Sequence, residues 1–570
     1  MSADIKKVLV LDDRLNCSDQ ITYAVNQGAQ SMNPAPFQAV SQTISSHTYN
    51  IQTPSEQTVI DRRVMWNSTV VLSVVGTPPT GQFNVNYGLT DALAPFPLHQ
   101  LVSVMTAQIN NNSVSLNVRD VLASLLRFHD RRELSRYNGM TPTAVDTYQK
   151  YSDAVGANNN PLGAYQNSTD GDLLPRGSFV LDYIGENADT TTNNGVQTLS
   201  PNGATQYTTY IKFTVSEPLL ISPFISCDPK SNNQGFFGIQ NMTFQFSMGD
   251  ATRVWRTASS WAKTVSVVSY TGSQLLFNFL SPHPSQLLAS RNVVPYMEFP
   301  RYITSFATSL TSGSSATFRS STIQLNVIPD KLILFVRKPI GSQTSADTDS
   351  FLALSPSNPI SINFNNVSGI LSSASLQDLY RYSVENGSNQ NWQEFSGYAN
   401  LVNSVTGSGS KKPLSGSLLV LEFGKDIPLQ EQYYASGSLG SFSLQVNMNC
   451  INQGSATLSN EELVIITMNS GVFVVERGSS SIFTGLLTKS DVLEVASQTP
   501  YYRADAVRLV GGGWMDTLKS VVGKVLPYVM PHAKKYLKEQ GDAGVMAEKA
   551  ISALGYGKSG GKAKLMERMM

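Results

Sequence analysis

The feature that most restricts how this chain can fold is a pattern that occurs twice. Ile211-Lys212-Phe213, four residues and then Pro218-Leu219 in the first half are echoed by Leu421-Glu422-Phe423, four residues and Pro428-Leu429 in the second. Further along, Met242-Thr243-Phe244-Gln245-Phe246-Ser247-Met248 matches Phe442-Ser443-Leu444-Gln445-Val446-Asn447-Met448. Both alternate apolar and polar residues, the period of a strand with one buried face. Each half also opens with a long strand region, Thr58 to Gly76 and Ser321 to Lys338, and carries one short helix in the corresponding interval, Val118 to Arg136 and Ser375 to Glu385. Four correspondences in the same order imply one β-sandwich written twice.

Asn117 is placed to cap the first of these helices, with Asp120 in its first turn and Val118, Val121, Leu122, Leu125 and Leu126 as its buried stripe. Further strands are expected at Tyr207 to Val215, Phe236 to Met248 and Thr264 to Leu280. Low charge (14%), 41 glycines and 27 prolines suit many short strands joined by turns. The expected fold is therefore all-β: two tandem eight-stranded jelly rolls with short loop helices, over residues 51–290 and 291–508. The first 50 residues read as an arm, because Asn26 to Pro36 has no periodicity. Residues 158–194 read as a polar loop. The join, Pro282 to Tyr302, holds Pro282, Pro284, Pro295 and Pro300 and reads as too irregular for a strand.

Residues 509–570 read differently. After Leu509-Val510-Gly511-Gly512-Gly513 come Trp514, Leu518, Val521 and Val525, spaced to share one helix face. Cations include Lys519, Lys524, Lys534, Lys535, Lys538, Lys558, Lys562 and Lys564. From Gly511 onward ten cations face five anions, a surplus of five, and because the whole chain balances 41 against 41 the remainder carries minus five. A basic amphipathic helical tail thus hangs from an acidic body by a triple glycine.

Other chemistry finds little support. Cys17, Cys227 and Cys450 are isolated, which fits a reducing compartment and supplies neither a disulfide framework nor a zinc site. Residues 1–10 hold too short an apolar run for a secretory signal, and no window is apolar enough to span a bilayer. His47, His99, His129, His283 and His532 are scattered, and His129 to Glu133 reads as a local ion network. The Gly555 to Gly561 stretch matches dinucleotide and nucleophile-elbow spacings but follows a helix, where neither works. No catalytic residue, metal site or cofactor is expected.

On the duplicated sandwiches, polar loops and size, the chain resembles the double jelly-roll major capsid proteins of adenovirus-like, polinton-like and virophage-type DNA viruses. The resemblance implies a homotrimer of six-fold pseudo-symmetry that tiles an icosahedral shell, touching neighbouring capsomers and other capsid proteins. It also implies a viral maturation protease, since proteases of that group cut after an aliphatic residue, any residue and two glycines, as in Leu509-Val510-Gly511-Gly512. The tail stripe would then dock inside the shell, meet a membrane or touch the genome. The host receptor is left unidentified. Two other readings stay open: a single jelly-roll coat protein with a projecting β domain, and a glycan-binding β-sandwich surface protein or hydrolase.

Overall fold

The computed structural model describes residue 12 and residues 27–496, apart from 129–139, 150–175, 177–178, 189–190, 194–196, 201–204, 225–234, 286–287, 308, 348, 403–408, 455 and 477. The first sandwich contains β1 (Ser31–Gln38), β2 (Ser46–Gln52), β3 (Met65–Gly76), β4 (Val102–Ile109), β5 (Asn112–Leu116), β6 (Tyr207–Pro218), β7 (Asn241–Met248) and β8 (Lys263–Ser281). One sheet runs β1-β8-β3-β6 and the other β2-β7-β4-β5, all antiparallel. Apart from the β4–β5 hairpin, every one of these pairings joins strands that are not consecutive in the chain, the jelly-roll connectivity.

The second sandwich begins with a split first strand, β9 (Asn292–Glu298) and β10 (Arg301–Ser305), and a split second strand, β11 (Ser315–Arg319) and β12 (Ile323–Val327). There follow β13 (Lys331–Arg337), β14 (Ile360–Phe364), β15 (Val367–Ile370), β16 (Leu419–Glu422), β17 (Leu439–Ile451), β18 (Glu462–Glu476) and a hairpin strand, β19 (Ser479–Thr484). Its sheets run β9/β10-β18-β13-β16 and β11/β12-β17-β14-β15. With each split strand counted once, the strand order is that of the first sandwich. The two halves share one topology, and β7 and β17, the two Met-ended repeats, hold the same place in each.

Among the described residues five α-helices punctuate the strands: α1 (Pro97–Gln100), α2 (Val118–Leu125), α3 (Leu376–Glu385), α4 (Trp392–Ser396) and α5 (Lys489–Ala496). Both α2 and α3 follow the fifth strand of their sandwich. Ser375 caps α3 by accepting from the Asp378 amide while the Asp378 carboxylate accepts from the Ser375 amide, a reciprocal capping box. Asn117 precedes α2 without a side-chain cap bond.

Four expectations need correction. Within residues 158–194, read as a polar loop, Asp182–Ala188 and Thr191–Asn193 are strands, the first of them pairing with β6. The segment around Asn33-Pro34-Ala35-Pro36, read as a free arm, lies in β1 and pairs along its whole length with β8. Likewise Pro295, read as a strand breaker in the join, lies within β9 opposite Val472. The physical reason is shared: β1 and β9 each bond to a single neighbour, so the missing proline N–H is not required on the outer side. Finally, Ser321 to Lys338 is not one strand. It breaks into β12 and β13, which belong to opposite sheets.

Candidate functional site at the seam between the sandwiches

The second sandwich's β9/β10-β18-β13-β16 sheet is apolar on both faces. In β13, Leu332, Leu334 and Val336 join the core of the second sandwich, while Ile333 and Phe335 join the cluster built around the first. The alternation repeats in the neighbours: Leu419 and Leu421 against Leu418 and Val420, and Leu463 and Ile465 against Val464 and Ile466. Period-two geometry sends successive side chains to opposite faces, so an unbroken apolar run means that both faces are covered. The sheet is a wall shared by two cores. An aromatic pair joins the two sandwiches here, with the ring of Phe236 of the first 5.6 Å from that of Phe473 of the second. Each such fully buried ring contributes on the order of 2–3 kcal/mol.

Two buried ionic knots fix the register of this wall. In the first, Asp120 of α2 is 2% exposed and receives Arg337 at 2.7 Å and Arg301 at 2.5 Å, both from the second sandwich. Arg337 also bonds Glu462 at 2.8 Å, and Arg301 donates to the Asn117 side-chain oxygen at 3.2 Å. In the second knot, Asp349, from the connection after β13, enters the first sandwich. Its carboxylate meets Arg256 at 3.3 Å and Arg253 at 3.5 Å and accepts from Gln100 Nε2 at 3.1 Å. Its amide donates to Asp146 at 2.8 Å, and Asp146 in turn holds Arg176 at 2.6 Å. Arg127 clasps both segments, donating to the Asp146 and Asp349 carbonyls at 2.8 Å and lying 4.8 Å from the Phe351 ring. Burial alone would raise the Asp349 carboxyl, but Arg253 and Arg256 outweigh it and hold the group below its ordinary value.

A third seam is backbone-like. The Ser480 amide of β19 donates to Asn111 Oδ1 at 2.7 Å, and its hydroxyl donates to the Ile109 carbonyl at 2.7 Å. Gly478 N–H reaches the Gly238 carbonyl at 3.0 Å. Paired charges, apolar packing and edge bonds thus lock the two sandwiches into one two-lobed block.

The residues singled out in the tail, Leu509 to Gly513, the Trp514 stripe and the lysines from Lys519 to Lys564, lie outside the described residues, as do His129 to Glu133. His99 is held by Glu217 at 2.5 Å, and the same carboxylate accepts from the Leu98 and His99 amides and from Thr141. It is a structural clasp inside the first sandwich. Cys450 lies on β17 within the second core, and burial pushes its thiol up. Among the described residues no group of three side chains converges on a metal site. Sequence reading missed the seam itself. Its signal was present in the unbroken apolar runs Leu332 to Val336, Leu418 to Leu421 and Leu463 to Ile466.

With this geometry in view, comparison with known proteins decides the family. A family model for the first domain of the Sputnik virophage major capsid protein matches residues 3–289, and one for the C-terminal domain of major capsid protein V20 matches residues 299–471. The chain belongs to the Sputnik virophage major capsid protein family. The putative capsid protein V20 of Sputnik virophage is 28% identical to this capsid chain over 538 residues, covering 91% of it and 86% of the relative. A chain of the cryo-EM structure of Sputnik virophage superposes with a TM-score of 0.76 at 28% identity, over 89% of this chain and 99% of that one. The mavirus major capsid protein crystal structure shares the fold, with a TM-score of 0.70 at 14% identity over 88% and 99% of the two chains. This capsid protein is a virion component, and the double sandwich is its shell-building body.

Proposed function

We propose that three copies of this capsid protein close into a six-sided capsomer that tiles an icosahedral shell. The observation that carries the reading is the repeated strand order, because two like lobes locked at a fixed angle let a three-fold trimer present six similar edges. The chain divides into an N-terminal segment before β1, two sandwiches that meet between Ser281 and Asn292, and a tail after α5. The role is structural: shell assembly multiplies many modest symmetric contacts, with self, neighbouring capsomers and other capsid proteins as partners, and needs no reactive side chain. The protein is made in the host cell and ends in the virion.

The tail is read as a processed, inward-facing segment. At the base of this tail, α5 sits against the connection between β16 and β17, where the Lys489 ammonium is 3.9 Å from the Tyr433 ring centroid. A maturation protease would cut at Leu509-Val510-Gly511-Gly512-Gly513, where two glycines thread a narrow cleft without side chains. The stripe of Trp514, Leu518, Val521 and Val525 then docks on the capsid body rather than entering a membrane or binding genome.

Light scattering on the purified full chain tests the assembly unit. A mass of three chains is expected, and a monomer at micromolar concentration would refute it. Mass spectrometry of mature particles tests processing. A fragment beginning at Gly513 is expected, and an intact chain throughout would remove the cleavage step.

A further inference from the structure

Most large apolar side chains of this protein are buried, yet three come to the surface where the described chain ends. Leu439 is 53% exposed, Phe483 48% and Leu493 41%. They belong to one corner. The Leu439 amide donates to the Leu487 carbonyl at 3.0 Å. Gly485, two residues after Phe483, has φ +69, and a Cβ there would stand 2.8 Å from the Leu439 side chain. This close approach and left-handed turn call for glycine, and they bring β19 down past β17 into α5. Leu493 lies on α5, whose Lys489 ammonium is 3.9 Å from the Tyr433 ring centroid.

Beside this apolar corner is a hollow of about 340 Å³ whose lining includes Gln324, Asn366, Gln430, Glu431, Tyr434 and Ser441. Among the described residues, Gln324, Asn366, Gln430, Glu431 and Ser441 make no side-chain hydrogen bond. No lysine or arginine lines it. Glu431 lines the hollow, and α5 carries Asp491 and Glu494 as well as Lys489.

We propose that this corner is the seat of the chain's own tail: the Trp514, Leu518, Val521 and Val525 stripe covers Leu439, Phe483 and Leu493, while Lys524, on the flank of the stripe, faces Glu431 and the hollow. The proposal rests on the docking reading above and adds the surface on which docking occurs. Reach is not limiting. The 18 residues from Ala496 to Trp514 span up to about 60 Å, so the stripe meets the corner as an intramolecular ligand at high effective concentration. Charge agrees, since the segment from Gly511 onward carries a surplus of five positive charges and the rest of the chain minus five.

Hydrogen–deuterium exchange of the full, uncut chain tests the seat, with Leu439→Glu/Leu493→Glu and, separately, Trp514→Glu as variants. The native chain should protect the amides of residues 514–525 by at least about tenfold over an unstructured peptide. Either variant should abolish that protection, while exchange in β13 and β18 stays unchanged. Protection that survives both variants would mean the tail docks elsewhere, overturning this seat and leaving docking intact. Absence of protection in the native chain would overturn both. Protection lost in Trp514→Glu but kept in the double variant would likewise place the tail elsewhere and overturn this seat.

Discussion

Asp349 of the second sandwich meets Arg256 of the first at 3.3 Å, with both side chains buried. Charges taken out of water are tolerable only when paired, and here each partner comes from a different lobe. Removing one leaves the other stranded. Asp349→Ala is expected to cost about 3–5 kcal/mol in urea unfolding, much more than Asp347→Ala, whose contact with Lys338 is partly exposed. Because the Arg253 and Arg256 guanidinium groups hold the Asp349 carboxyl below its ordinary value, its contribution is present at neutral pH and is lost as pH falls through its depressed folded value. Asp349→Ala should flatten that acid limb.

The shared wall makes a separate prediction about cooperativity. Phe335 faces the first sandwich and Leu334 the second core, one residue apart. Leu334→Ala should destabilise the second sandwich by about 2–5 kcal/mol, whereas Phe335→Ala, at about 3–5 kcal/mol, should weaken the coupling of the lobes. In calorimetry, Phe335→Ala should split one unfolding transition into two. A single transition for Phe335→Ala would show that the coupling of the sandwiches does not depend on this ring.

Legibility in the sequence followed solvent exposure. Strands such as β7 and β17, wet on one face, announce themselves by alternation, which is why the duplication could be read. β1 and β9 could not, because Pro34, Pro36 and Pro295 argue against a strand unless one knows that the strand lies at a sheet edge. The seam was hidden for another reason. Arg337 and Asp120 are 217 positions apart, and no local pattern announces a pair at that distance. The runs from Leu332 to Val336 and from Leu463 to Ile466 record that both faces are buried, but not against what.

His47 supplies an acid-sensitive group within the first sandwich. Its ring is buried edge-on to Tyr270 at 4.4 Å, with Nδ1 near the Ser273 hydroxyl at 3.3 Å and Nε2 unpartnered. Burial lowers its pKa from 6.5 to about 4, partly opposed by the Thr43 backbone. The unfolded chain therefore binds this proton first as pH falls, and stability should drop between about pH 6.5 and 4 by up to about 3 kcal/mol. His47→Gln should remove that part of the slope in thermal denaturation.

Glu461 works in the opposite sense. Burial, with Glu462 and Asp347 nearby and only Lys338 opposing, pushes its carboxyl up to about 7, and its Oε1 has no partner. The folded state holds this proton more tightly, so stability falls as pH rises from about 4.5 to 7. Glu461→Gln is expected to raise stability at pH 8 by about 1–3 kcal/mol and to leave it nearly unchanged at pH 4. An equal shift at both pH values would refute the assignment.

Cryo-electron microscopy of the purified capsomer addresses the duplicated sandwich most directly. Three chains should form a ring of six similar lobes, with first and second sandwiches alternating around a three-fold axis. A ring of three lobes, or single two-lobed particles that never associate, would contradict it.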